Sequence, residues 1–370
     1  MNVPKLRFKE FTDEWVTCTI NSVAEVISGG TPDTTNSNYW DGSINWFTPS
    51  EVGKSKYISN SKRKITQLGL QKSSAKLLPV GTILLSSRAT VGESSILYNN
   101  EACTNQGFQS LIPHKNINNE FLYYLIYKYK KSLLKQAFGS TFLEISKNNV
   151  EKIKINIPTA MKEQVKLSTF LSLLDRKIEL QTKKIEVLKL FKLSIKKKIF
   201  QTNINTEIKL NQLVKCESSS LTLSDIQNID GPFPVYGAEG FIKNINFYNH
   251  NNEYIAIVKD GAGVGRTMIC PSKSSTISTM NALIPILEYK ATYILELLNL
   301  INFKKYIIGS GIPHIYFKDY GKEKIKIHSI DKSNKITKLF DLLNKRINYT
   351  QNQVEHLKKL KQGLLQIMFI

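Results

Sequence analysis

The chain of 370 residues is poor in the groups that carry out catalysis. Its five histidines (His114, His250, His314, His328, His356) are scattered singly. A histidine with no nameable partner reads as structural or exposed. Cys18, Cys103, Cys216 and Cys270 stand far apart, with no CxxC pair and no histidine at ligand spacing. That argues against a zinc site or a disulfide framework. Gly53-Lys54-Ser55 lacks the upstream glycine of a phosphate-binding loop. Gly261-Ala262-Gly263-Val264-Gly265-Arg266 ends in arginine where a dinucleotide fingerprint needs glycine. No Asn/Asp-Pro-Pro-aromatic segment of the kind that holds a flipped base is present. Glu207-Ile208-Lys209 is a bare Glu-x-Lys with no upstream aspartate to complete a nuclease metal site. No run approaches eighteen apolar residues, and MNVPKLRFKEFTDEW has no apolar signal region, so the expectation is a cytoplasmic protein. The chain reads as a binder rather than an enzyme.

Acidic residues are also scarce beside basic ones, 30 against 51, for a net charge of +21 and a pI near 9.6. Such an excess favours a polyanionic partner, most often nucleic acid. A lysine-rich proteome is the plainer account and stands beside it. With 41% hydrophobic and 22% charged residues the chain is of the folded, globular kind, and its length predicts two or more domains.

What the sequence does have is a long apolar seam. Leu167, Leu171, Leu174, Ile178, Ile185, Leu188, Ile195 and Ile199 follow a 4-3 alternation, broken only at Gln181 and Lys192. A seam this narrow keeps one stripe of a helix against a partner helix. The pattern recurs 169 residues later at Ile336, Phe340, Leu343, Ile347, Val354, Leu357, Leu364 and Met368. Its two breaks, Thr350 and Lys361, fall at the positions equivalent to Gln181 and Lys192. Sharing both defects in register points to an internal duplication. Each seam spans about 50 Å at 1.5 Å per residue. Lys183, Lys184, Lys196, Lys197 and Lys198 flank the first seam, either as a solvated face or as phosphate contacts.

The seams divide the chain into residues 1–156, a helical spacer 157–202, residues 203–326 and a second spacer 327–370. In the first block a turn at Tyr39-Trp40-Asp41-Gly42 precedes a strand at Ile44–Phe47. A buried strand is expected near Val80–Leu85, a helix over Phe121–Phe138 ending at Gly139, and a strand at Ile153–Ile157. The second block repeats the order: strand Tyr254–Val258, glycine turn 261–265, helix Thr292–Ile308 ending at Gly309, and Lys324–Ile327. Two helices of like length whose connecting block returns the chain predict an antiparallel pair. Polar and basic loop residues are the candidates for reading nucleic acid: Thr31, Lys54, Ser87, Arg88, Thr90 and Thr141 in the first block, Lys243, Lys259, Arg266 and Ser310 in the second. Arg88 and Arg266 rank first because both flank glycine-containing turns in equivalent segments. Trp40 and Trp46 read as core aromatics.

Taken in order, these segments resemble the specificity subunit of type I restriction-modification systems. The resemblance covers nearly the whole chain. It rests on Ser28-Gly29-Gly30-Thr31-Pro32, Tyr39-Trp40-Asp41-Gly42, Ile44-Asn45-Trp46, Arg88-Ala89-Thr90-Val91-Gly92, Thr104-Asn105-Gln106-Gly107-Phe108, Gly139-Ser140-Thr141 and the duplicated helix. It implies an α+β fold with two tandem target-recognition domains, separated and joined by two long helices packed as an antiparallel coiled coil with a pseudo-two-fold internal repeat. It implies a non-catalytic subunit reading a bipartite double-stranded DNA target, one domain per half-site. Two modification subunits carrying S-adenosylmethionine, and restriction subunits using ATP and Mg, are the implied partners; no cofactor and no metal is expected on this chain. The second block has no counterpart of Gly29–Pro32 or Tyr39-Trp40, so its first half is expected to use different loops. An orphan DNA-binding protein, an interaction scaffold for an acidic partner, and an enzyme with an unseen motif are the rival readings.

Overall fold

The computed structural model describes residues 2–139, 143–201, 204 and 206–370. The chain forms two compact units, one of Met1–Leu180 with Gln353–Ile370, the other of Gln181–Asn352.

The first unit holds two main sheets. One has the order β2 (Ala24–Ser28), β9 (Gln109–Pro113), β6 (Ile83–Leu85), β7 (Ser94–Leu97) and β4 (Tyr57–Ile58). The other runs β5 (Arg63–Ile65), β3 (Trp40–Phe47) and β8 (Ala102–Thr104). The expected strand near Val80–Leu85 is β6, and its Ile-Leu-Leu is buried throughout because the strand is covered on both faces. Ile83 and Leu85 join the core under the helices, and Leu84 joins a second core with Phe47 and Phe108. Alternation of side chains across the strand produces that division. A short pair, β1 (Val16–Thr19) with β10 (Lys154–Ile157), closes the block. Its helices are α1 (Gln67–Gln71), α2 (Asn119–Lys128), α3 (Lys130–Lys135) and α4 (Lys147–Glu151). The single helix expected over Phe121–Phe138 is therefore two, broken at Tyr129. The break places the Tyr129 hydroxyl 3.1 Å from the Asn156 amide, which donates to it, and 2.9 Å from the Ile370 carbonyl.

The second unit repeats the plan. Its sheets run β12 (Val214–Ser218), β18 (Met280–Pro285), β15 (Tyr254–Val258), β16 (Thr267–Cys270), and β14 (Gly240–Ile245), β13 (Phe233–Gly237), β17 (Ser275–Thr276). The pair β11 (Thr206–Lys209) with β19 (Lys324–Ile327) closes it. Strand β15, like β6, is buried on both faces: Ile255 and Ile257 enter one core, Tyr254, Ala256 and Val258 another. The helices are α6 (Leu210–Leu213), α7 (Leu223–Ile226), α8 (Ala291–Leu298) and α9 (Phe317–Tyr320). The helix expected over Thr292–Ile308 stops at Leu298. The chain re-forms as a 3₁₀ turn at Phe303–Tyr306, capped by the Asn302 side chain accepting from the Lys304 amide.

Two long helices follow the closing pairs: α5 (Met161–Gln201) and α10 (Ile330–Ile367). They are packed together antiparallel. In the first unit the start of α5 (Leu167, Leu171) shares a core with the end of the chain (Leu364, Leu365, Met368, Phe369). In the second unit the start of α10 (Ile336, Phe340, Leu343) shares a core with the end of α5 (Ile195, Ile199, Phe200). All sixteen seam positions are buried or half-buried. Each block is thus continued by one helix and completed by the far end of the other. Phe369 stacks on Phe121 at 5.5 Å and meets Trp15 edge-on at 6.0 Å. Its repeat equivalent Phe200 packs on Tyr293 at 5.9 Å and on His328 at 5.6 Å.

Candidate nucleic-acid interface and helix seam

The turn carrying Arg88 is built from paired backbone. Ser86 and Glu93 bond across it at 2.8 Å, and the Gly92 amide donates to the Ser86 carbonyl at 3.0 Å. In the second block Val258 bonds to Arg266 at 2.9 Å and the Gly265 amide to the Val258 carbonyl at 2.9 Å. The turns are the same device, with one residue more in the second. Ala89, at φ 59°, sits where the second block has Gly261, at φ 85°. A positive φ is costly for alanine, so the first turn holds its shape under local strain. Arg88 and Arg266 therefore flank opposite ends of equivalent turns. Each turn also pairs with a following segment, through the bridges Arg88 with Glu144 and Phe138 with Glu144 in the first block, Asp260 with His314 and Ile308 with His314 in the second. Arg88 against Glu144 is an ion pair at 2.7 Å. At the matching position in the second block the acid stands on the turn, at Asp260, and the imidazole on the following segment.

The other candidates are distributed as follows. Arg266 pairs with Glu239 at 2.6 Å and holds that carboxyl below its ordinary range. Lys243 pairs with Asp230 at 3.0 Å, and Lys259 with Asp260. Thr31 donates to Gln106, linking two of the sequence motifs. Lys54, Thr90 and Ser310 are exposed, whereas Ser87 is fully buried and its hydroxyl has no partner among the described residues. Thr141 lies outside the described residues. Trp40 and Trp46 are buried, 5.1 Å apart and edge-on, so they are core aromatics. Sequence reasoning passed over Arg63, which lies on the Trp40 ring at 3.5 Å. Its only signal was a basic residue in a short strand after two tryptophans.

The polar breaks in the seam have matching roles. Lys361 pairs with Asp175 at 2.6 Å, and its equivalent Lys192 donates to Asn344 at 2.8 Å. Asn344 is the repeat equivalent of Asp175, and the residue numbers of the two pairs add to the same total, as an antiparallel register demands. Where the second unit has Asn344 in place of the helix carboxylate, Glu296 of α8 supplies one. Fully buried, it takes Lys192 at 2.7 Å and Lys196 at 3.1 Å. Its counterpart, counted from the helix caps Asn118 and Lys290, is Tyr124, whose hydroxyl donates to Asp175 at 2.6 Å. A second exchange lies one turn away. Ser172 of α5 donates to Glu120 at 2.6 Å, while Thr292 of α8 donates to Asp341 of α10 at 2.8 Å. Burial works against the Glu120 carboxylate, but bonds from Ser172, Tyr57 and Lys56 outweigh it and hold the carboxyl below its ordinary value. Of the other two breaks, Thr350 donates to its own helix at the Arg346 carbonyl, 2.8 Å away.

Among the described residues no group of three or more His, Cys, Asp or Glu is placed to hold a metal. None of the helices there is long and apolar enough to cross a membrane.

The family model described as type I restriction modification DNA specificity domain matches residues 12–190 and again 204–359. The MjaIX type I restriction enzyme specificity subunit of Methanocaldococcus jannaschii is 27% identical, over 95% of this chain and 92% of that one. The EcoR124I/EcoR124II specificity subunit of Escherichia coli is 29% identical over 43% of this chain and 40% of its own. Among solved structures, the type I S subunit from M. genitalium superimposes with a TM-score of 0.69 at 19% identity, covering 100% of this chain and 99% of the other. A chain from a study of complex assembly and conformational transition of the type I system gives 0.59 at 15% identity, over 95% and 96%. Two matches to one domain model fall on the two halves of a duplicated fold, and the chain belongs to the type I restriction-modification DNA specificity family.

Proposed function

We propose that this chain is the non-catalytic, sequence-specific DNA-binding subunit of a type I restriction-modification complex, acting in the cytoplasm. Residues 1–156 and 203–326 each read one half of a bipartite double-stranded target, and the helices of 157–202 and 327–370 set the spacing. The observation that carries this reading is the paired turn-and-bridge device. Its bridge pairing follows the same pattern in both blocks, while the side chains on it differ, Arg88 with Glu144 against Asp260 with His314. One scaffold with two different displays suits two different half-sites.

Partner docking follows from the outer faces of the helices. Phe170, Leu173, Leu180 and Phe191 of α5 are exposed, and so are their repeat equivalents Leu339, Leu342, Tyr349 and Leu360 of α10. Large apolar residues exposed at matching positions on two helices mark an interaction stripe. Because the stripe is duplicated, it serves two copies of one partner, the modification subunit. S-adenosylmethionine belongs to that subunit, and ATP with Mg to the restriction subunits.

The test is methylome sequencing of a host expressing the modification subunit with and without this chain. The expected result is adenine methylation at a split motif only when the chain is present. Exchanging residues 1–156 for those of a relative should change one half of the motif; a change in both halves defeats the modular account. Leu173→Glu should leave the isolated chain's melting temperature unchanged and reduce modification subunits captured from two to one, as should Leu342→Glu. Two subunits retained by both variants would remove the stripe from the account.

A further inference from the structure

From the geometry around Trp40 we infer that Arg63 reads a guanine in the half-site of the N-terminal block, an assignment that rests on the function proposed above. The chain has 45 lysines and only six arginines. Two of the six, Arg176 and Arg346, lie on the long helices. Of the remaining four, Arg7 pairs with Glu163, Arg88 with Glu144 and Arg266 with Glu239. Arg63 faces a ring instead. Its guanidinium carbon is 3.5 Å from the centre of Trp40 and 5.6 Å from that of Trp46. At 3.5 Å the group must lie flat, because an edge-on approach would drive a nitrogen roughly 1.3 Å further into the ring. A flat guanidinium keeps its N–H edge pointing sideways, free of the ring, while the stack fixes its plane.

The platform under it is rigid. Arg63 stands opposite Trp46 in the ladder between β5 and β3, and β5 is the edge strand of that sheet. Trp46 donates from Nε1 to the Gly30 carbonyl at 2.9 Å, and Trp40 donates to the Asp33 carbonyl at 3.0 Å. Both indoles are thereby tied to the glycine loop at residues 28–33. The backbone comes so close to Ser74 at Gly30 that a side chain there would collide with it. Arg63 itself is exposed. An exposed, pre-oriented fork of N–H donors on a locked sheet fits the O6 and N7 acceptors of guanine, which take two parallel bonds in the major groove. A lysine would answer for a phosphate, and this chain has lysines to spare; the planar fork is what only arginine supplies. Preorganisation also lowers the entropy lost on binding.

The experiment uses the full chain with its modification subunit, as the unaltered protein, Arg63→Lys and Arg63→Met. Methylation motifs are read first. Binding is then measured on duplexes carrying the unaltered motif and every single base-pair change, at several salt concentrations. In both variants one G·C position of the first half-site should become degenerate, with discrimination there falling roughly tenfold to a hundredfold. The second half-site should be unchanged. An unchanged motif overturns the inference. So does a uniform loss across all duplexes with a shallower salt dependence, which makes Arg63 a backbone contact. A lowered melting temperature with loss of binding also overturns it, since Arg63 then serves only the tryptophan pair. If the unaltered complex reads no split motif, the proposed function itself fails.

Discussion

Substituting methionine at both Lys192 and Lys196 strips the two cations from Glu296, a carboxylate with no exposure to solvent. Methionine keeps most of each lysine stem, so the packing loss is small and the electrostatic loss dominates. A buried ion pair broken from one side costs about 3–5 kcal/mol, because the surviving charge has neither water nor partner. The equivalent change in the first unit, Lys361→Met, should cost far less, about 0.5–1.5 kcal/mol. Asp175 is 24% exposed and keeps the Tyr124 hydroxyl at 2.6 Å. The lysine pair on Glu296 and the single lysine on Asp175 should therefore differ several-fold in worth. Urea denaturation followed by circular dichroism gives the overall loss, and hydrogen exchange of α8 peptides localises it. Adding Glu296→Leu to the double variant removes the stranded charge and should restore stability to within about 1 kcal/mol. A double variant that loses under 1 kcal/mol, or a triple variant no better than the double, would refute the argument.

Phe369→Ala should cost about 3–5 kcal/mol, since the ring is buried between Phe121 and Trp15. Half-buried Phe200→Ala should cost about half as much by the same scale. Tryptophan fluorescence separates the two, because Trp15, Trp40 and Trp46 all lie in the first unit, and Phe200→Ala should leave their emission unmoved. His328 is buried against Tyr293, and burial holds its imidazole below the ordinary pKa. The unfolded chain then takes the proton first as pH falls. The stabilisation is complete above about pH 6.5 and drains away toward the lower folded value, by up to about 1.4 kcal/mol per pH unit. His328→Gln should flatten the loss of second-unit stability between pH 7 and pH 5, with His250, whose pKa burial also depresses, contributing to what remains. An unchanged slope would rule His328 out.

The seam was legible because a heptad is local information. Leu167 to Ile199 carries its partner's register in its own spacing, and the polar defects at Lys192 and Lys361 named the places where contacts form. Strands β6 and β15 were legible as unbroken apolar runs, since strands covered on both faces have no polar alternation to lose. What stayed hidden was pairing over distance. Nothing in sequence links Arg88 to Glu144, or Arg63 to Trp40 across a bulged ladder, and both pairings decide which cations are free to meet a ligand. Glu296 was invisible for the same reason. Its value lies in standing in for an acid where the long helix carries Asn344, and neither residue announces the exchange. Ser87 looked like a surface hydroxyl beside Arg88, but its amide bonds to the Gly107 carbonyl and draws it inside.

The way each block is completed also imposes a timetable. Trp15 and Phe121 leave the ribosome early, yet the residues that cover them, Leu365 to Phe369, are separated from α5 by the entire second block. At 5–20 residues per second, that interval lasts on the order of ten to thirty seconds. During it the nascent first block presents an open apolar socket, while the second block receives its own covering residues, Ile195 to Phe200, before any of its strands is made. The domain begun first is therefore finished last, and the growing chain spends most of its synthesis with a vacancy that a chaperone, or a neighbouring chain on the same message, is positioned to fill.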